Sequence, residues 1–349
     1  MPSFYIGIDL HHAVIQACVL DGRGDCVEER RFAFEGLEEG LAVVDFLESY
    51  GSETRVAVEA LGLNRWFVNA CRTRSIDVLV CDPRKLDLKK LGRKTDKRDA
   101  REIARRLYLG DLDRMATTYY PTDEEYAARK LLRVRHKLIQ LRQQTTNQLR
   151  GILMAYQLEA PTAVLYTGPS QEKLSRVQLP VQELQAPFDA LRAVLSSLQE
   201  QILALDREID RKGRRDADIL VMKASLPSVG SQTAATILAE LGDPKRFGSA
   251  RAVAAYAGLV PRVAQSADRA HHGRMTKQGN PELRWVLSQW AVRLLARDPL
   301  VREWAAALRK RVHKNKVRMA LARRLLVGVW AMLRTGEAFD LNRCLGVPA

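Results

Sequence analysis

The sequence has little that would place it outside a cell or in a membrane. Its five cysteines (Cys18, Cys26, Cys71, Cys81 and Cys344) are scattered, odd in number and form no Cys-x-x-Cys pair. The six histidines fall at no zinc-ligand spacing. Neither a disulfide framework nor a structural zinc is expected, which fits a reducing cytoplasm. No apolar run approaches about 18 residues, so neither a transmembrane helix nor a membrane partner is expected. The opening Met1-Pro-Ser-Phe-Tyr-Ile-Gly-Ile-Asp9 has no basic leader or cleavage site and runs straight into a strand, so no signal peptide is read. Internal repeats at solenoid periods and low-complexity tracts are also lacking.

The 349 residues are 46% hydrophobic and 28% charged, a globular balance that excludes a mainly disordered or fibrous chain. At about 100–200 residues per domain, two or three domains are expected. The charge is segregated. Residues 1–211 hold 31 basic and 31 acidic side chains, while residues 212–349 hold 25 basic and 10 acidic and so carry the whole net charge of +15. Such asymmetry points to a polyanionic partner, most simply nucleic acid.

Strand patterns and turn residues predict strands over 4–10, 14–20 and 26–34, helical periodicity then a helix over 37–50, followed by a strand over 55–59, a helix over 63–74, a strand over 77–81 and a helix near 96–110. A meander followed by alternating strands and helices is the order of the ribonuclease-H-like fold, a mixed sheet flanked by helices. Leucines at near-heptad spacing predict one long helix over 123–158 and a second over 183–212, with a loop or insertion at 159–180. The pair reads either as an antiparallel coiled-coil hairpin serving dimerisation or as helices packed within one compact domain. The remainder reads as helical and basic. Its segment Leu226–Leu238 reads either as a helix-hairpin-helix turn able to hold a DNA phosphate or as a plain glycine-containing connection. The expected domains are 1–115, 120–214 and 215–349. Trp285, Trp290, Trp304 and Trp330 lie in apolar helical patterns and read as core.

Four carboxylates stand out. Asp9 interrupts an apolar strand, where a lone carboxylate is costly unless it is paired or bound to metal. Glu59 ends the strand Val56-Ala-Val-Glu59. Asp96 and Asp99, in Lys94-Thr-Asp-Lys-Arg-Asp-Ala100, are three apart and share a helix face in a first turn that favours anions. Taken singly, each has an ordinary role open to it as turn, cap or ion pair. Taken together in this order of elements they match a site for two Mg²⁺ ions, which would stabilise both the attacking and leaving oxygens of a phosphodiester. Gly7-Ile-Asp9 also occurs in sugar-kinase-like ATPases. Their further phosphate-binding turns are not found here, and a kinase would leave the basic C-terminal region unexplained. Arg84, Lys85, Lys89, Lys90, Arg93, Lys94, Lys97 and Arg98 crowd around the paired aspartates and are read as nucleic-acid contacts.

The blocks around Asp9, Glu59 and Asp96–Asp99, together with Phe247–Pro261, Gln265-Ser266, Gly273–Asn280 and Leu283-Arg284, resemble the Asp-Glu-Asp-Asp, Piv-like transposases of insertion sequences, the IS110 family. The resemblance spans nearly the whole chain. It implies a RuvC-like nuclease domain, a coiled-coil linker and a C-terminal transposase domain. It implies that Asp9, Glu59, Asp96 and Asp99 bind Mg²⁺, with Mn²⁺ as a substitute. It also implies that Ser266 attacks DNA through a transient phosphoserine link, that double-stranded donor and target DNA are chosen by a bridge RNA, and that the chain works as a homodimer or homotetramer with composite active sites. The family usually has Gly after this serine, whereas Ala267 follows here. Arg262, Arg269, Arg274 and Lys277, with His271 and His272, surround Ser266 in what reads as a phosphate-binding loop.

The leading expectation is therefore a DNA transposase or recombinase acting at the bacterial nucleoid. One alternative is a metal-dependent nuclease or Holliday-junction resolvase that uses water as the nucleophile. The other is a nucleic-acid-binding protein without catalysis.

Overall fold

The computed structural model describes residues 2–86, 95–115, 118–159, 164–266, 269–275 and 278–346. At Arg84, Arg114 and Met115, and from Pro261 to Met275, it describes the backbone alone. The chain divides into two compact units, Met1–Tyr120 and Pro121–Ala349.

The first unit is built on a five-stranded sheet. Strands β1 (Phe4–Leu10), β2 (Val14–Asp21) and β3 (Cys26–Ala33) form an antiparallel meander. Helix α1 (Leu37–Glu48) returns the chain to β4 (Thr54–Glu59), and α2 (Arg65–Thr73) leads to β5 (Asp77–Cys81). Both β4 and β5 run parallel to β1, giving the order β3-β2-β1-β4-β5. The short helix α3 (Pro83–Leu86), α4 (Asp96–Tyr108) and α5 (Asp111–Met115) follow. This mixed sheet with flanking helices has the element order read from the sequence.

Strand β1 is central and its two faces differ. Ile6, Ile8 and Leu10 point into the core shared with α1 and α2, among Val43, Val44, Phe67 and Val68. The alternate residues lie under α4, since successive side chains of a strand point to opposite faces. Helix α4 is capped by Thr95, which accepts from the Arg98 backbone amide, and buries Ala100, Ile103, Ala104 and Leu107 along one stripe. Its acidic first turn and basic last turn both suit the helix dipole. Fully burying side chains of this size stabilises by about 1.5–3 kcal/mol each for the larger ones. Small residues on the stripe let the helix lie close on the strand.

The second unit is mostly helical. Helices α6 (Asp123–Ala155) and α8 (Gln185–Gly213) lie antiparallel, since Arg135 pairs with Asp206 while Arg142, further along α6, donates to Gln199, earlier on α8. Helix α6 opens with a capping box between Thr122 and Glu125. Within the span read as a loop or insertion, α7 (Gly168–Ser175) forms. Pro169 sits in its first turn, where a missing amide hydrogen costs nothing. Helices α9 (Ala217–Ser225), α10 (Ser231–Leu241), α11 (Ala250–Tyr256), α12 (Pro281–Arg297), α13 (Pro299–Arg309), α14 (Lys314–Thr335) and α15 (Leu341–Leu345) complete the unit. Their core surrounds Trp290, which is fully buried, and includes Trp330, with Trp285 and Trp304 packed on its margin.

The stretch read as a loop around Ser266 is a β-hairpin, β6 (Pro261–Ser266) paired antiparallel with β7 (Arg269–Met275). Its polar and basic residues give no clean apolar alternation, so the strand period does not show in the sequence.

Candidate active site

Strand periodicity builds the site. Tyr5, Gly7 and Asp9 all lie on the α4 face of β1. The Tyr5 ring stacks edge-on against Tyr108 of α4 at 5.3 Å. A Cβ on Gly7 would sit 2.2 Å from the Ala100 carbonyl oxygen and 2.3 Å from the Ala104 nitrogen, so only glycine lets the helix rest there. One step further along, Asp9 meets the first turn of α4.

Asp9 is buried, at 3% exposure, as is Asp99. Asp96 is half exposed. His11 reaches into the same place: its Nε2 lies 3.2 Å from Asp9 Oδ2 and 3.4 Å from Asp96 Oδ1. The ligand atoms of Asp9, His11 and Asp96 all fall within 4.8 Å of one another. Burial pushes the Asp9 carboxyl above its ordinary range. His11 pulls it back, and the Asp96 and Asp99 carboxylates raise it further. Buried acids pressed together in this way suit a divalent cation, which would relieve both the desolvation and the repulsion.

Glu59 is placed by register. Gly7 pairs with Ala57 and Ile8 with Val58, which brings Asp9 and Glu59 level at adjacent strand ends. Ala57 packs on the α4 side, with Ile103 and Leu107, and Glu59 shares that face. The Glu59 carbonyl accepts from the Asn64 side chain at 2.7 Å, which anchors the strand end.

Helix α4 is also gripped from β3. Glu29 accepts from Lys97 at 2.6 Å and from Arg101 at 2.7 Å. Lys97, expected to contact nucleic acid, therefore already has an acidic partner. Lys85 and Arg98 are exposed, on α3 and in the first turn of α4. Lys89, Lys90, Arg93, Lys94 and Lys277 lie outside the described residues, and Arg84 is described only as backbone in α3.

In the second unit, Ser266 ends β6 and pairs in register with Arg269. Arg262 lies on β6 and Arg274 on β7. Near both feet of this hairpin lies a knot of close contacts around the buried Glu240 and Asn280. Gly258 (φ +67°) and Gly279 (φ +120°) cross so closely that a Cβ on Gly279 would lie 2.6 Å from the Gly258 nitrogen. The Asn280 backbone amide donates to the Tyr256 carbonyl at 2.7 Å. Its side chain donates to Glu240 at 2.6 Å and caps α12 by accepting from the Glu282 and Leu283 amides. Glu240 has no exposed surface and takes two further bonds, both 2.7 Å, from Arg133 of α6. The Leu226–Gly230 turn joins α9 to α10 with Ser228 at φ +57°, and the buried Trp290 indole donates to the Pro227 carbonyl at 2.8 Å.

Sequence reasoning overlooked His11 and Glu240. His11 follows Asp9 by two residues, just past the end of β1, and its ring turns back onto the Asp9 carboxylate.

Two comparisons with known proteins now bear on this geometry. A family described as transposase, the DEDD domain of IS110 elements, matches residues 6–157, a span that contains all four carboxylates. The transposase IS116/IS110/IS902 family matches residues 223–306, which contain the hairpin and the knot. The chain belongs to the IS110/IS116/IS902 family of transposases. The activity of this transposase is accordingly DNA transposition or recombination. It is 28% identical to a probable family 20 transposase of Pseudomonas aeruginosa, over 94% of this chain and 96% of that protein. It is 25% identical to the transposase of insertion element IS1111A from Coxiella burnetii, over 96% and 90% of the two chains. Over a third of its length, it is 32% identical to a pilin gene-inverting protein of Moraxella bovis. Among the described residues, no helix is long and apolar enough to cross a membrane.

Proposed function

We propose that this transposase cuts and rejoins DNA by a metal-assisted serine mechanism under the guidance of an RNA. The observation that carries the reading is the packing of α4 on β1, which gathers Asp9, Asp96 and His11 with Asp99 close by. The sheet order, antiparallel through β1 and parallel beyond it, supports a RuvC-like assignment of the first unit.

Asp9, Glu59, Asp96 and Asp99 would hold divalent cations, Mg²⁺ or in its place Mn²⁺. When bound, such ions neutralise charge on the attacking and leaving oxygens of the phosphodiester. The chain's own residues do the rest. Asp9 and Asp99 are buried and so present their oxygens in fixed directions. Ser266 Oγ attacks phosphorus, the Oγ–P bond forms as a P–O bond to the sugar breaks, and the hydroxyl proton ends on the departing sugar oxygen. The resulting phosphoserine ester conserves the bond energy for rejoining. Arg262, Arg269 and Arg274 supply positive charge on the hairpin for the DNA backbone.

The excess positive charge of residues 212–349 supports binding of two polyanions, donor or target DNA and a bridge RNA. Base pairing by the RNA would choose the sequence, with the protein reading backbone shape. Val134, Met154, Val194 and Leu203 are exposed on α6 and α8, which supports the coiled-coil reading of this pair and its use in a homodimer or homotetramer.

A second reading is favoured by one fact: all four carboxylates lie in the first unit. Such a site can activate water without a serine, as a nuclease or junction resolvase would. Strand exchange of a donor plasmid by the full-length protein, with Mg²⁺ and the RNA flanking its element, tests both readings. Asp9→Asn and metal removal are expected to abolish the reaction. A chelator-insensitive reaction, or full activity in Asp9→Asn, would overturn the metal mechanism. Undiminished cleavage in Ser266→Ala would leave the nuclease.

A further inference from the structure

His11 stands apart from the four carboxylates, yet its Nε2 lies 3.2 Å from Asp9 Oδ2. We propose that His11 is a nitrogen ligand of the metal site and biases it towards first-row transition-metal cations such as Mn²⁺ over Mg²⁺. The proposal rests on the reading of Asp9 and Asp96 as metal ligands.

The geometry fits coordination. Two neighbouring ligands of an octahedral ion with bonds of about 2.1 Å lie about 3.0 Å apart. His11 Nε2 lies 3.2 Å from one carboxylate oxygen and 3.4 Å from the other. The three ligand atoms can therefore occupy one face of an octahedron with small movements. The anchoring is unequal in a useful way. Asp9 is buried on a central strand, while the His11 and Asp96 side chains are about half exposed, so a hydrated ion can enter from their side.

The chemistry sets the preference. Mg²⁺ takes oxygen ligands and gives up its waters reluctantly, whereas an imidazole nitrogen suits first-row transition metals. A face of two carboxylates and one imidazole gives Mn²⁺ a bond that Mg²⁺ values little. The ring must then be neutral, with its proton on Nδ1 and its Nε2 lone pair on the ion. The rival account of the same distances makes His11 a cation wedged between two acids, which leaves when the metal arrives.

Pulsed electron paramagnetic resonance on Mn²⁺ separates the two. The full-length protein, carrying no polyhistidine tag, is stripped with chelator and loaded with less than one equivalent of Mn²⁺. The expected spectrum shows ¹⁴N coupling from a directly bound imidazole, retained in His12→Ala and lost in His11→Ala. In His11→Ala and in the milder His11→Gln, Mn²⁺ affinity is expected to fall about tenfold while Mg²⁺ affinity, measured by competition, changes far less. Bound Mn²⁺ without ¹⁴N coupling in the wild type would overturn the proposal, as would equal losses for both metals. Mn²⁺ binding undiminished in Asp9→Asn would instead overturn the carboxylate site itself, and with it this proposal.

Discussion

Gly7 and Ala100 touch through their backbones: a Cβ on Gly7 would lie 2.2 Å from the Ala100 carbonyl oxygen. This contact seats α4 on β1 and so brings Asp96 and Asp99 to Asp9. Gly7→Ala must push the helix away, because the obstructing atoms are backbone and cannot rotate aside. The substitution is expected to cost about 3 kcal/mol, at the upper end of overpacking effects, and to abolish metal binding even where the chain still folds. Denaturant unfolding together with Mn²⁺ titration checks this. Unaltered metal affinity in a folded Gly7→Ala protein would show that the close approach does not govern the site.

Asp9 is expected to make stability depend on pH and, as the proposed metal ligand, on metal in opposite ways. Burial raises its carboxyl above the ordinary 3.8. Below 3.8 the group is protonated in both folded and unfolded chains and costs nothing. As pH rises through the ordinary value to the raised one, the unfolded chain ionises first, so stability falls; above both, the full cost remains. Without metal, Asp9→Asn is therefore expected to melt higher than wild type at pH 7, with the difference closing near pH 3.8 and below. Metal reverses the ranking. At a hundred times its dissociation constant an ion stabilises the wild type by about 2.7 kcal/mol and leaves Asp9→Asn unmoved. Thermal melts with chelator and with Mn²⁺ measure both.

Glu29 behaves in the opposite sense. Burial pushes its carboxyl up, but the Lys97 and Arg101 bonds together hold it below the ordinary 4.5. Its contribution is present above that value and is lost as pH falls through it and further. Glu29→Gln is expected to weaken the seating of α4 at pH 7 and to lose little additional stability in acid. Hydrogen exchange of the α4 amides at pH 7 and pH 4 follows this directly.

The Glu240–Asn280 knot supports the serine hairpin at a distance. Asn280→Ala removes a helix cap and a bond to a fully buried carboxylate, a loss of about 2–3 kcal/mol. Asn280→Asp keeps the cap but sets a second carboxylate against Glu240, so it is expected to be the worse of the two. Both should reduce strand exchange more than DNA affinity, and kinetics at saturating DNA separate these quantities. Equal losses in both would assign the knot to overall folding.

How far the sequence could be read differed from element to element, for physical reasons. Strands β1, β2, β4 and β5 are built on apolar runs between turn residues, whereas β3 carries Glu28, Glu29, Arg30 and Arg31 and is marked mainly by the turn before it; Asp9 stands out because a carboxylate in an apolar run demands a partner. The significance of His11 depends on where α4 lands, a contact between residues far apart in the chain. Glu240 looks like an ordinary solvent-facing helix residue, and only the arrival of Arg133 and Asn280 lets it be buried. The β6–β7 hairpin is coded by residues too polar to show a strand period, and α7 carries in its first turn Pro169, a residue type that elsewhere ends helices. Ser266 was singled out by family resemblance, with little in its local pattern to distinguish it from Ser228 or Ser288.

The central claim is that Ser266 attacks DNA with help from the Asp9 carboxylate site. The most direct measurement is mass mapping of protein–DNA adducts trapped by rapid denaturation during reaction with donor plasmid, divalent metal and the element's flanking RNA. The account predicts a nucleotide linked through phosphate to Ser266, absent in Ser266→Ala and in Asp9→Asn. Strand exchange that proceeds with no adduct at any time point, or an adduct on a different side chain, would contradict it.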